Sequence, residues 1–115
     1  MSTTFTTGRR AEAAAADYLR GLGYEVLAQN WRTKLCEIDI IARQADIVYC
    51  VEVKYRRDSS QGAGLDYITP AKLRQMRLAA GIWAAESGWS GEMSLAGIEV
   101  SGSEFAVTEF IEAIY

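Results

Sequence analysis

Hydrophobic positions along this chain follow two periods. In "GRRAEAAAADYLRGLGY", Ala11, Ala14, Ala15, Tyr18, Leu19 and Leu22 recur at the three- and four-residue spacing of one stripe on an amphipathic helix. Thr6 and Thr7 are candidate caps for its start, and Gly21 and Gly23 can end it. Glu12 falls roughly a quarter turn from the centre of the stripe, on the border between core and solvent. A second helix is predicted in "TPAKLRQMRLAAGIWAAESG", with Thr69 as N-cap, Pro70 at the first helical position and Gly88 as the stop. Its stripe runs through Leu73, Met76, Ala80, Trp83 and Ala84.

The rest alternates with period two. "YEVLAQNWR" reads as a short strand leading into a polar turn at Gln29 and Asn30. "CEIDIIA" is a second strand, with Glu37, Asp39 and Ile41 expected on one face and Ile38, Ile40 and Ala42 on the other. "RQAD" predicts a tight hairpin into "IVYCVEVKYR", which is apolar on both faces in its first half, as a central strand is. In its second half Glu52, Lys54 and Arg56 make one face polar. "EMSLAGIEV" and "EFAVTEFIEAIY" read as a final hairpin, although the last run also fits a helix. The segment "RRDSSQGAGLDY" has loop composition, and its length makes Ser59 to Gly64 a candidate for function. The expected fold is a single α/β domain over residues 1–115, a mixed β-sheet flanked by helices in the order α-β-β-β-α-β-β.

Composition narrows the chemistry. There is no histidine, which removes Ser-His and Cys-His nucleophiles and makes zinc improbable. Cys36 and Cys50, in a chain read as mature and cytoplasmic, are expected as thiols. No run is long and apolar enough for a membrane helix, and no membrane partner is expected. The net charge of −3 conceals a division: residues 1–77 carry 12 bases against 9 acids, and residues 78–115 carry 6 acids and no base. Such asymmetry permits a basic face on an acidic protein, or an ordinary solvated surface.

Asp39, Glu52 and Lys54 interrupt the most apolar stretch of the chain. A carboxylate inside a sheet must be paired, hydrogen-bonded or bound to metal, because desolvating it alone costs several kcal/mol. The hairpin brings Asp39 within one cross-strand or diagonal spacing of Glu52. Two such acids either share a proton or take a hard cation, Mg²⁺ or Mn²⁺. Glu-Val-Lys alone is equally an ion pair on a strand, and Glu12 alone is equally a solvated helix residue. Lys72, Arg74 and Arg77 follow the loop and are candidates for phosphate contact or for a wet helix face. Trp31, Trp83 and Trp89 are expected in or near the core.

The order "GRRAE", "NWR", "CEIDIIA", "VEVKYR", "AG", "TPAK" resembles the YraN-like family of small bacterial proteins, over roughly Gly8 to Tyr115. That family is grouped with restriction-endonuclease-like nucleases and is similar to Holliday junction resolvases. The resemblance implies a PD-(D/E)xK site in which Asp39, Glu52 and Glu12 hold Mg²⁺ and Lys54 completes the catalytic set. It implies hydrolysis of phosphodiester bonds in DNA, of branched or flapped form, with Arg56, Arg57, Lys72 and Arg74 as nucleic-acid contacts. Junction resolvases work as homodimers because two cuts need two sites. The alternative is a non-catalytic nucleic-acid- or protein-binding module that keeps the fold. Two departures bear on this: Cys36 stands where the family has glycine, and Gly97-Ile98-Glu99-Val100 replaces Arg-Phe-Asp-Val.

Overall fold

The computed structural model describes residues 3–57 and 68–114, so the Ser59 to Gly64 loop lies outside the described residues. The elements are α1 (Thr3–Gly21), β1 (Glu25–Arg32), β2 (Glu37–Gln44), β3 (Ile47–Arg56), α2 (Pro70–Ser87), β4 (Glu92–Ser101) and β5 (Ala106–Ile111). This is the expected order, and the final run is a strand.

One five-stranded sheet runs β1-β2-β3-β4-β5. The β1–β2, β2–β3 and β4–β5 pairs are antiparallel, while β3 and β4 are parallel and α2 makes the crossover between them. Ala45 and Asp46 form the two-residue turn between β2 and β3, with Ala45 at a φ of 55°. Each face of the sheet has its own core. Ala11, Ala15, Ala16 and Leu19 of α1 pack on Ile40, Ala42, Tyr49, Val51, Ile98 and Val100. Met76, Ala79 and Ala80 of α2 pack on Ile38, Ile41, Val48, Cys50 and Leu95. A central strand covered on both faces explains the continuous apolar run of β3.

Helix α1 begins earlier than its threonines suggested, and it is rotated from the expected stripe. Ala16 is buried, whereas Tyr18 and Leu22 lie towards solvent. Alanines let the helix axis approach the sheet, and a Tyr in that contact would hold it away. Helix α2 is delimited as expected: the Thr69 hydroxyl accepts from the Lys72 amide, and Gly88 adopts a φ of 75°.

The expected faces of β2 require a correction. Ile38 packs with Ile41 under α2, and Ile40 packs with Ala42 under α1, so Ile38 and Ile40 lie on opposite faces. The alternation breaks at Asp39. Strand β1 breaks at the same level, where Ala28 and Trp31, three residues apart, share the α2 face. Asn30 lies between them at a φ of 53°. No chain reversal occurs at Gln29 and Asn30, since β1 continues through both to Arg32. Asn is among the few residues that accept the left-handed region at low cost, so the strand bends there without ending.

Ile98 is fully buried in the α1-side core. Ile98→Ala is expected to lower stability by about 2–5 kcal/mol in urea unfolding. A loss under about 1 kcal/mol would show that this core is not closely packed.

Candidate metal and phosphodiester site

The site sits where β2 and β3 stop pairing. Their ladder runs from Gln44 and Ile47 to Ile40 and Val51. One step further, the Val53 amide donates to Asp39 Oδ2 at 2.8 Å. A side chain thus takes the place of a backbone acceptor, which satisfies the Val53 amide and fixes the carboxylate at the opening of the strands. In the extended register Asp39 falls opposite Glu52.

Four acids from three elements contribute to this corner. Burial, then the charge of Glu52, push the Asp39 carboxyl up from 3.8 to about 7, against the lowering effect of the Val53 amide. Glu12 on α1 and Glu37 at the start of β2 push in the same direction. Glu52 is also raised, first by burial and then by Glu37, against the lowering effects of Lys72 and Lys54. Glu12 is raised by burial, against a hydrogen bond from the Asn30 side chain and the charge of Arg9. Glu12, Asn30, Glu37 and Asp39 line one cleft of about 210 Å³.

The candidate residues sort as follows. Asp39 and Glu52 come together, with Lys54 in electrostatic reach of Glu52 and Glu12 close enough to Asp39 to act on its charge. Lys72, a candidate phosphate contact, places its Nζ 3.2 Å from Glu52 Oε2. Arg56 forms an ion pair with Glu99 at 2.5 Å, and both side chains are largely buried. Thr108 also donates to Glu99 Oε1 at 2.8 Å, so Arg56 and Glu99 belong to the framework of the β4–β5 end. Arg57 and Arg74 are exposed.

Sequence reasoning missed Asn30, which holds Glu12, and the part played by Lys72. Asn30 carried a usable signal, since an asparagine inside an otherwise strand-like run marks a site of positive φ. Gly97 lies beside Glu52 in the β3–β4 ladder. Lys72 reaches Glu52 from α2.

Among the described residues, no group of three or more metal-binding side chains stands close enough to hold an ion by protein atoms alone. The donor set still suits a hard cation. Mg²⁺ is commonly held by one or two carboxylates with water in its other positions, and Asp39 and Glu52 are such a pair. Among the described residues, buried Glu12 Oε1 has no hydrogen-bond partner, leaving one further oxygen able to accept.

The model of the uncharacterised protein family UPF0102 matches residues 11–107, which include all four candidate catalytic residues. Similar chains include a UPF0102 protein of Mycolicibacterium vanbaalenii, 43% identical over 69% of this chain and 65% of its own length. Another from Renibacterium salmoninarum is 37% identical over 77% of this chain and 75% of its own. One from Pseudomonas putida is 42% identical over 66% and 62%. The match spans about two thirds of the length of the Mycolicibacterium relative.

Asp39 has a raised carboxyl, so between 3.8 and about 7 the folded protein keeps a proton that the unfolded chain has lost. Its contribution to stability therefore falls as pH rises through that window. Asp39→Asn keeps an acceptor for the Val53 amide and removes the charge. It is expected to raise the melting temperature at pH 8 by ~5 °C and to change it little at pH 4. A lower melting temperature at pH 8 would contradict the assignment.

Proposed function

The chain belongs to the uncharacterised protein family UPF0102, and on the geometry of its carboxylate pair we propose that it is a metal-dependent DNA endonuclease-like protein. Its reaction is hydrolysis of phosphodiester bonds, and its substrate is branched or flapped DNA. The observation that carries this reading is the placing of Asp39 against Glu52 where β2 and β3 part, with Lys54 in electrostatic reach.

Asp39 and Glu52 would hold Mg²⁺ or Mn²⁺, with Glu12 as a further oxygen ligand. A cation bound there supplies stabilisation of the charge that develops on the phosphate and lowers the pKa of water. The protein's own groups do the remaining work. Burial keeps both carboxyls in a setting of low dielectric, where a nearby charge has most effect. The Val53 amide fixes one oxygen of Asp39, leaving the other for the site. Lys54, exposed and within electrostatic reach of Glu52, would meet the non-bridging oxygens of an incoming phosphate. Asn30 holds Glu12 in place. Exposed Arg57 and Arg74 supply phosphate contacts that fix the register of the DNA without reading its sequence.

One observation favours a second reading, a nucleic-acid-binding module without turnover. The Lys72–Glu52 ion pair already gives Glu52 a cation. A fold that had lost metal binding would keep that pair to neutralise a buried acid.

Linear, flapped and four-way-junction DNA, each with Mg²⁺, Mn²⁺ or EDTA, separates the two. The enzyme reading expects cleavage of a branched substrate with metal and none in EDTA, lowered by ~10²-fold or more in Asp39→Ala. Binding without cleavage under every condition supports the module. A protein that binds none of the three DNAs fits neither.

A further inference from the structure

Beside the acid cluster lies a larger groove of about 370 Å³, between the connection from β1 to β2 and the outer side of α2. Three bases line it: Arg32 at the end of β1, Lys34 in the connection and Lys72 on α2. Arg32 and Glu37 line both this groove and the cleft that holds Asp39 and Glu12, so the two adjoin. Leu35 stands at the tip of the connection and is 78% exposed, the most exposed large apolar side chain among the described residues. Leu78, on the α2 wall, is 54% exposed.

The connection that carries Leu35 is held rigidly. Thr33 Oγ1 accepts from the Leu35 amide at 3.1 Å and from the Cys36 amide at 3.3 Å. The Thr33 amide donates to the Cys36 carbonyl at 2.8 Å. These bonds close a tight turn of the kind that Ser and Thr side chains stabilise. Leu35 is therefore presented by a fixed element at the end of two paired strands.

An apolar side chain held in water next to cationic ones suits a partner that is apolar and anionic within a few ångströms. A base stack between phosphate strands meets both conditions. Apolar side chains inserted between base steps unstack and kink a duplex, and the flanking cations anchor the backbone. A protein partner would need an acidic rim around an apolar pocket, for which the groove gives no separate indication.

Resting on the nuclease reading above, we infer that the Thr33–Cys36 turn is a wedge for branched DNA. Leu35 enters at the base step where the strands separate. Arg32 and Lys34 hold the phosphates of one strand, and the groove leads that strand along α2 towards Asp39 and Glu52. Selection of branched DNA then arises because the wedge meets an unstacked step there, whereas in a linear duplex it must first open one.

The test is binding in EDTA, where no cleavage occurs, to a flapped DNA and a linear duplex of the same sequence. Each carries 2-aminopurine, whose fluorescence rises on unstacking, at the branch step or its equivalent. Wild-type protein is expected to bind the flap about tenfold more tightly, or roughly 1.4 kcal/mol, and to brighten the probe. Leu35→Ser is expected to lose the brightening and bring the two affinities together, with binding to the linear duplex unchanged. Lys34→Ala weakens binding to both DNAs alike and lowers the salt slope by about one. Equal melting temperatures for Leu35→Ser and wild type establish that the fold is intact. Retained brightening and flap preference in Leu35→Ser would overturn the wedge and leave the nuclease reading standing. Failure of the wild type to bind either DNA would overturn both.

Discussion

The Val53 amide needs an acceptor at the point where β2 ceases to provide one, and the Asp39 carboxylate supplies it. Much of the site follows from that bond. Asp39 cannot turn out to solvent without stranding a backbone donor in the sheet, a loss of about 1–3 kcal/mol. It is therefore held against Glu52, where burial raises both carboxyls, and the charge of Glu52 raises that of Asp39 further. The apolar residues around them, Ile38, Ile40, Ile41 and Val51, keep the corner rigid and exclude most of the water that would weaken these effects.

Two adjacent acids create a need for positive charge, and the fold meets it from outside the strands. Lys72 lies in the first turn of α2, and the Thr69 cap that sets the start of that helix also sets where Lys72 emerges. Gly97 lies beside Glu52 in the neighbouring strand, so no side-chain charge comes from β4 at that level. Arg56 stands further along β3 and is taken up by Glu99. The bases nearest the acids are thus Lys54 and Lys72 around Glu52, Arg9 beside Glu12, and Arg32, whose guanidinium lies 3.6 Å from Glu37. A basic groove bordering an acidic pair is an arrangement that can draw in a polyanion and still leave its centre available to a divalent cation.

The element order, the tight hairpin between β2 and β3, the cap of α2 and the central position of β3 were legible in the sequence, because each rests on local chemistry or on a clear apolar period. The meeting of Asp39 and Glu52 was legible as a neighbourhood only: a reversal at Gln44 and Ala45 sets Asp39 across from residue 50, and the turn at Ala45 and Asp46 moves it opposite Glu52. What escaped was the break in alternation. A period-two reading places Ile38 beside Ile40, and only the paired irregularity at Asn30 and Asp39 separates them. The depth of α1 was missed for a related reason: in a run of alanines, Ala16 and its neighbours are equally apolar, and packing alone decides which is buried. Lys72 was seen as a base on a helix, but its approach to Glu52 depends on the crossover from β3 to β4, which strand patterns do not specify.

The most direct test of this account is to follow the side-chain carboxyl carbons of Asp39 and Glu52 by NMR as pH is varied, with and without Mg²⁺. Without metal, the Asp39 signal is expected to titrate near 7 and that of Glu52 above the usual carboxylate range. With Mg²⁺ both should move to lower pH, because a bound cation favours the ionised forms. Ordinary titration of Asp39 near 4, unchanged by Mg²⁺, would contradict the claim that these two residues form a cation site.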